Sequence, residues 1–193
     1  IGLPEREVTM MHWQHMQSSA LVELYAGSPG KAIALVDRQL PAARRAFLLR
    51  IYAVQSFTAY LRTIAWLAAL VDGAPEPARV RAAIRRGCRG LGNRAISRSV
   101  PLVADAGLAV LCGDLDAAVD GYRAAADGFA ATDMMQLATA ARWRLGELLG
   151  GDEGRALVAQ SSAAFAADGV AQPARVMALL APVPPEARRF AAR

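Results

Sequence analysis

One pattern recurs four times along this chain of 193 residues: a glycine follows a long apolar-rich segment, and an alanine follows that glycine five residues later. The pairs are Gly27/Ala32, Gly73/Ala78, Gly113/Ala118 and Gly151/Ala156. The four glycines are spaced 46, 40 and 38 residues apart. A glycine ends a helix readily because it adopts the left-handed backbone conformation cheaply. Small alanines early in the next helix let two helices approach closely, so the pattern predicts a repeat array of helical hairpins.

The residue types between these glycines favour helix almost everywhere. Alanine, the best helix former, dominates, whereas asparagine occurs only as Asn93 and lysine only as Lys31. We find no alternating apolar pattern long enough for a strand. The first helices of the hairpins are predicted at about 6–26, 42–72, 95–112 and 133–149. The second helices are predicted at about 30–40, 76–91, 115–130 and 153–168, and Pro41 is expected in a connection.

We therefore predict one all-α domain over residues 1–193, a stack of antiparallel helical hairpins that forms an α-solenoid. The repeats are expected at about 6–41, 42–92, 95–130 and 133–168, with capping helices over 173–193. Because Ile1 opens directly into a helical pattern without a methionine, the chain is expected to be a fragment of a longer protein.

The third repeat resembles the tetratricopeptide repeat. A turn at Gly113 and Asp114 leads into Ala118, Tyr122 and Ala125, which share one helical face because they are spaced four and then three residues apart. The other three copies match this order only in part, and the spacings exceed the period of about 34 residues that is typical of the family. The resemblance implies a divergent array with a concave groove that binds a protein segment.

The C-terminal third carries a second resemblance, over about residues 142–182. The run from Arg144 to Val158 and the later Asp168-Gly169-Val170 segment are similar to the closing repeat of large bacterial regulators. In those proteins a serine/threonine kinase and a signal-transducing ATPase precede a helical repeat region. None of the kinase or ATPase motifs is present in this chain. The resemblance implies a terminal sensor or adaptor module that is not an enzyme.

Charge and cysteine usage point to an ordinary globular surface. The formal net charge is +5, but acidic residues are interspersed with the basic ones, which favours a solvated surface over a nucleic-acid or membrane partner. The longest purely apolar run, 64–71, is much shorter than the roughly 20 residues of a membrane span. Cys88 and Cys112 lie far apart, so neither a zinc site nor a disulfide framework is expected. We expect a cytoplasmic protein.

Candidate chemical motifs are incomplete. His12 and His15 supply half of a metal site, and only distortion would bring in Glu5 or Glu7, so structural or surface histidines are favoured. The turn at Gly30-Lys31 lacks the serine or threonine of a phosphate loop and follows a helix rather than a strand. We therefore predict no catalytic, cofactor-binding or metal-binding residues.

The arginines around Cys88 allow two further hypotheses. Neighbouring positive charge could lower the pKa of this thiol and make it reactive, although a thiol buried in a helix is favoured. Arg81, Arg85 and Arg89 repeat every four residues and form a basic stripe that could contact phosphates. A solvated helix face that pairs with acids of a neighbouring helix is the favoured interpretation, and a nucleic-acid-associated module is the alternative function.

The predicted partner groove follows from alignment of the first helices on their turn glycines. Offsets that face the concave surface of tetratricopeptide arrays fall on Gln14, Gln17, Leu21, Tyr60, Thr63, Leu67, Arg142 and Leu145. If these offsets carry over, the groove has an apolar floor and a polar lip, and it binds a peptide segment or another domain of the same chain. The alternative is that the longer helices bury these residues in a tight core.

Overall fold

The chain folds into helices along its described length, which in the computed structural model covers residues 8–73, 77–88, 91 and 95–183. No β-strand occurs within these residues, so the prediction of an all-α fold is confirmed. The predicted segments at 6–7 and 184–193 lie outside the described residues. The helices are α1 (Met10–Tyr25), α2 (Pro29–Arg45), α3 (Tyr52–Val71), α4 (Pro77–Cys88), α5 (Ala95–Cys112), α6 (Leu115–Ala130), α7 (Met135–Leu149), α8 (Gly151–Ala167) and α9 (Pro173–Leu180).

Left-handed glycines lie at the turns that the repeating pattern predicts. Gly27, Gly73 and Gly113 have φ angles of 74°, 78° and 75°. At Gly113 the N–H of the glycine bonds to the carbonyl of Val110, and the next N–H, that of Asp114, bonds to the carbonyl of Ala109. This pair of bonds is the Schellman motif, which satisfies the last carbonyls of α5. The carboxylate of Asp114 then accepts a hydrogen bond from the N–H of Ala117 and caps α6.

The predicted long helix over 42–72 is wrong, because α2 continues through Pro41 to Arg45 and α3 begins only at Tyr52. Pro41 is exposed, and the buried residues on either side of it, Leu40 and Ala43, hold the helix against its neighbours. Packing of this apolar face outweighs the hydrogen bond that the proline cannot form. The chain then turns at Phe47, which has a φ of 57°, and passes through a short 3₁₀ turn over Leu48–Arg50.

The helices from α5 to α8 touch through their smallest residues. A Cβ atom added at Gly121 would lie 2.9 Å from the Cβ of Ala106, and one added at Gly128 would lie 2.3 Å from the Oγ of Ser99. Gly128, late in α6, thus faces Ser99, early in α5, so these two helices run antiparallel. Between α7 and α8, a Cβ added at Gly154 would lie 2.3 Å from the carbonyl oxygen of Gly146.

Helix α9 crosses back over the fold and contacts α1, α3, α7 and α8. Met177 is completely buried in a cluster with Trp143, Phe165 and Ala181. The guanidinium of Arg175 lies 4.2 Å from the ring centroid of Tyr25 and donates a hydrogen bond of 3.0 Å to the Tyr25 carbonyl. The last described helix is therefore fastened to the first.

Helix α3 lies at the centre of these contacts. It is the one helix of the described chain that is long and apolar enough to cross a membrane by length and composition, and 61% of that apolar window is buried inside the fold. Its buried residues include Val54, Ile64 and Leu67, each 1% exposed or less. Their apolar surface is therefore used in packing against the other helices.

Candidate functional site

Three of the eight residues predicted for the partner groove line one cavity. Gln17 and Leu21 reach it from α1 and Tyr60 reaches it from α3. The cavity has a volume of about 340 Å³ and lies between α1, α3, the start of α7 and the end of α9. We term it the α1–α9 cavity. Its full lining is Gln17, Leu21, Phe57, Tyr60, Leu61, Asp133, Met134, Met135, Gln136, Leu137 and Leu180.

The other five predicted groove residues lie elsewhere. Thr63 and Leu67 are each 1% exposed and Leu145 is 7% exposed, so all three are in the core. The methyl groups of Leu67 occupy the space beside Gly107 of α5. Gln14 is exposed and Arg142 is half-buried, and neither lines the α1–α9 cavity.

Most of the cavity wall comes from residues that the sequence did not single out. The segment 133–137 enters it because Asp133, with a φ of 58°, turns the chain between α6 and α7. The N–H of Met134 bonds to the Phe129 carbonyl at this turn, as a left-handed glycine would arrange it. The paired Met134 and Met135 at a helix start were the available signal. No sequence signal marked Leu180, because only tertiary folding brings the end of α9 to the cavity.

Tyr60 forms the floor of the cavity and carries a neutral hydroxyl. Burial raises its pKa far above the ordinary tyrosine range, and the neighbouring Tyr122 raises it further. The hydroxyl donates a hydrogen bond to the carbonyl oxygen of Leu180. The ring meets that of Phe129 edge to face, with centroids 6.1 Å apart. These contacts fix Tyr60 between α6 and the end of α9.

A buried arginine holds the next peptide group. Arg144 is 2% exposed, and its Nε donates a 2.6 Å hydrogen bond to the carbonyl of Ala181. Its guanidinium pairs with Glu147, which also accepts a 3.1 Å hydrogen bond from the indole of Trp143. Side chains of α3 and α7 thus hold two successive carbonyls of the chain as it leaves α9. This arrangement fixes the position of Leu180 at the cavity edge.

The chemistry of the cavity is that of a mainly apolar recess. Its polar lining groups are Gln17, Gln136 and Asp133, and the remaining side chains are apolar apart from the hydroxyl of Tyr60. Within the described residues no group of three or more histidine, cysteine, aspartate or glutamate residues is placed to hold a metal ion. Such a recess can bind an apolar side chain or an apolar small molecule, oriented by a few hydrogen bonds at its rim.

No protein-family model, curated protein or solved structure matches this chain.

The His12/His15 pair and the Gly30-Lys31 turn, both near the N-terminus, form local contacts. The Nδ1 of His12 lies 3.0 Å from the hydroxyl of Thr9, at the start of α1, and His15 is exposed. Glu5 and Glu7, the acids considered for a metal site, lie outside the described residues. Lys31 is in the first turn of α2, where its ammonium group lies 3.9 Å from the carboxylate of Glu23.

Arg81, Arg85 and Cys88 all lie on α4, and Cys88 is half-buried. Arg81 and Arg85 are exposed, and Arg81 contacts the sulfur of Cys112 at 3.5 Å, whereas Arg89 lies outside the described residues. Burial raises the pKa of the Cys88 thiol, although a hydrogen bond with Thr63 lowers it, and Asp105 raises it further. Burial therefore favours the neutral thiol, which is the less nucleophilic form of cysteine.

Proposed function

We propose that this chain is a non-catalytic interaction module: a tetratricopeptide-like stack of four helical hairpins with a C-terminal cap, which holds a protein partner. The partner places an apolar side chain, from a peptide segment or a neighbouring domain, in the α1–α9 cavity. The observation that carries this proposal is the cavity itself, about 340 Å³ in volume and lined mainly by apolar side chains. Recesses of about 300–1,000 Å³ with a few polar groups are typical binding sites.

The rim of the cavity supports a peptide as the occupant. Met135 is 50% exposed at the start of α7, so apolar surface continues outward from the recess. Methionine adapts its shape to different partners, and exposed apolar patches of this kind are where partners bury surface. Gln17 and Gln136 offer amide groups that can pair with a peptide backbone.

The setting of this module is part of the same proposal. The resemblance over 142–182 favours a bacterial signalling protein of the cytoplasm, in which kinase or ATPase domains precede the helical repeats. The sequence of the gene upstream of Ile1 tests this directly. A kinase or ATPase there supports the proposal, and an unrelated enzyme or a secretion signal contradicts it.

The proposed binding mode is tested by selecting peptides on the folded chain and measuring their affinity for cavity variants. Leu21→Trp places a larger ring in the recess, whereas Val22→Trp changes the next residue, which is 67% exposed and does not line the cavity. We expect selected peptides to share an apolar anchor. Leu21→Trp should weaken binding by about tenfold or more, as loss of an anchor pocket does, and Val22→Trp should change it by less than about twofold. Equal effects of both variants would contradict the binding mode.

A nucleic-acid-associated module is the second candidate, and the exposed arginines of α4 favour it. None of Arg79, Arg81 or Arg85 forms an ion pair with an acidic residue of the described chain. Binding through such a surface falls steeply as salt rises. The test is the affinity for a mixed-sequence oligonucleotide at about 50 and about 200 mM salt. A steep loss that Arg81→Gln and Arg85→Gln reduce favours this function over the peptide module.

A further inference from the structure

A second cavity, away from the α1–α9 cavity, gathers three arginines from three helices. It lies between α2, α3 and α4 and has a volume of about 260 Å³. Arg44 reaches it from α2, Arg62 from α3 and Arg86 from α4. No acidic side chain is among its lining residues in the described chain. We term this recess the arginine pocket.

Arg62 is held in place with part of its hydrogen-bonding capacity unused. Its side chain is 16% exposed, and one terminal nitrogen lies 3.1 Å from the carboxylate of Asp37. The Nε is buried and has no hydrogen-bond partner in the described chain. A buried N–H without a partner is costly, and a guanidinium carries five such donors. Arg62 thus brings a guanidinium group, oriented by Asp37, to the wall of the pocket.

The other two arginines are not neutralised by the described protein. The side chains of Arg44 and Arg86 are exposed and form no ion pair or hydrogen bond with a described residue. Each lies in the last turn of its helix, where positive charge complements the helix dipole. That role does not explain why both line the same recess, because Arg45 and Arg85 occupy the same last turns and do not line it.

The remaining wall has an apolar side and two polar residues. Leu40, Leu49 and Ala59 line the recess together with Gln55 and Thr58. The hydroxyl of Thr58 is already used, since it accepts a bond from Trp13 and donates one to the Val54 carbonyl. Expressed as the same kind of volume as that of the pocket, a single water molecule needs only about 10–15 Å³. The pocket thus has room for more than an isolated oxyanion, and its apolar side suits an organic group.

We propose that the arginine pocket binds a small organic phosphate monoester. The phosphoryl oxygens lie among Arg44, Arg62 and Arg86, and the organic group lies against Leu40 and Leu49. Guanidinium groups pair with the oxygens of phosphates and carboxylates in a fork geometry. A phosphoryl group presents three oxygens and close to two negative charges, which suits three arginines better than a carboxylate does. The site is independent of the proposed partner function.

Calorimetric titration of the whole chain with phenyl phosphate tests the site, with benzoate and inorganic phosphate as companion probes. Phenyl phosphate should bind saturably at one site and more tightly than benzoate. Tighter binding of the ester than of inorganic phosphate assigns the organic group to the apolar wall, whereas equal binding assigns the free ion as the ligand of the same three arginines. Absence of saturable binding of either phosphate up to about 10 mM, a limit of very weak affinity, overturns the proposal.

Two matched pairs of variants separate a built site from general positive charge. Arg44→Gln and Arg86→Gln remove exposed pocket arginines, whereas Arg45→Gln and Arg85→Gln remove the neighbouring charge on the same helix turn. All four should keep the native circular dichroism spectrum because the four side chains are exposed. The pocket variants should weaken phenyl phosphate binding by about tenfold or more, since each loses charged hydrogen bonds. Equal weakening in both members of each pair would mean that the anion follows net charge and would overturn the site.

Discussion

In the α5–α6 and α7–α8 pairs the helices touch at glycine residues, whereas residues of α1–α4 line two recesses. Gly121 meets Ala106 and Gly154 meets Gly146 with no space for a further carbon atom. By contrast, α1 and α3 line the α1–α9 cavity, and α2, α3 and α4 line the arginine pocket. The side chains at a contact set the distance between two helices, so small residues produce a solid frame and larger ones leave gaps.

We propose separate roles for the two regions. The void beside Tyr122, Arg144 and Glu147, where α5–α7 meet the chain after α9, has no room for a water molecule, so it offers no ligand site. The α1–α9 cavity, in contrast, is lined by only one end of α7 from the α5–α8 region. We infer that helices α5–α8 provide rigidity and that the recesses lined by α1–α3 provide recognition of a partner. Four changes of decreasing effect test or refine this comparison.

The largest effect is expected when a charged side chain replaces a leucine of the core. Leu145→Asp and Leu67→Asp should each lose at least the about 2–5 kcal/mol that truncation of a buried leucine costs, because the carboxylate is also left without water or a partner. Leu21→Asp changes a half-buried cavity residue and should cost much less. Denaturant unfolding followed by circular dichroism gives the three values. Native-like stability of Leu67→Asp and Leu145→Asp would place these two leucines in an open groove instead.

A single added methyl group compares the two regions more finely. Gly154→Ala should reduce the free energy of unfolding by about 1–3 kcal/mol, because the new Cβ would lie 2.3 Å from the Gly146 carbonyl oxygen and the helices must separate. Gly30→Ala in α2 has nothing within 4 Å of the new Cβ and should be neutral or slightly stabilising. Parallel denaturant titrations measure both. A neutral Gly154→Ala would mean that the α7–α8 contact is loose.

The two buried tyrosines make stability depend on alkaline pH. Burial raises the pKa of both Tyr60 and Tyr122 well above the ordinary range, and Glu147 also raises that of Tyr122 although Arg144 lowers it. In the unfolded chain they ionise near pH 10, so their contribution is complete below about pH 10. Above that pH the unfolded state loses protons first, and stability should fall by about 1.4 kcal/mol per pH unit for each tyrosine.

Unfolding measured at several pH values from about 9 to about 11 gives this slope, on either side of the ordinary tyrosine pKa. The double variant Tyr60→Phe/Tyr122→Phe should lack most of it. A slope that the double variant retains would assign the alkaline loss to other groups.

The smallest effect separates the two hydroxyl groups. Tyr60→Phe leaves the Leu180 carbonyl without its donor and should cost about 0.5–1.5 kcal/mol. Tyr122→Phe should cost almost nothing, because the buried Tyr122 hydroxyl has no hydrogen-bond partner in the described chain. Thermal melting of the two variants distinguishes them. The reverse order would mean that Tyr122, in the α5–α8 region, carries the bond that matters.

Residue patterns predicted the helices and their turns better than the lining of the α1–α9 cavity. The turn glycines and the face of Ala118, Tyr122 and Ala125 follow from local backbone and spacing rules, and that face is completely buried. Gln17, Leu21 and Tyr60, which line the cavity, were selected by counting back from the turn glycines, but the same count also selected Leu67, which packs against Gly107. Helix periodicity defines a face and does not show which neighbour covers it.

The remaining features depend on tertiary contacts that no local pattern encodes. Leu180 reaches the cavity because Tyr60 and Arg144 hold the carbonyls at the end of α9, far along the chain. Similarly, α2 continues past Pro41 because its buried face is stabilised by its neighbours. Asp133 adopts a left-handed turn where a glycine would have been the recognisable residue.

Methionine methyl groups offer the most direct test of the claim that recognition occurs in the α1–α9 cavity. The chain has six methionines, of which Met134 and Met135 line the cavity, whereas Met11 is exposed on α1 and Met177 is the buried methionine of α9. With ¹³C-methyl-labelled protein and a selected peptide, we expect the Met134 and Met135 signals to shift along one binding curve. The Met11 and Met177 signals should stay in place. Shifts of Met11 or Met177 with Met134 and Met135 unmoved would contradict the account and place recognition elsewhere.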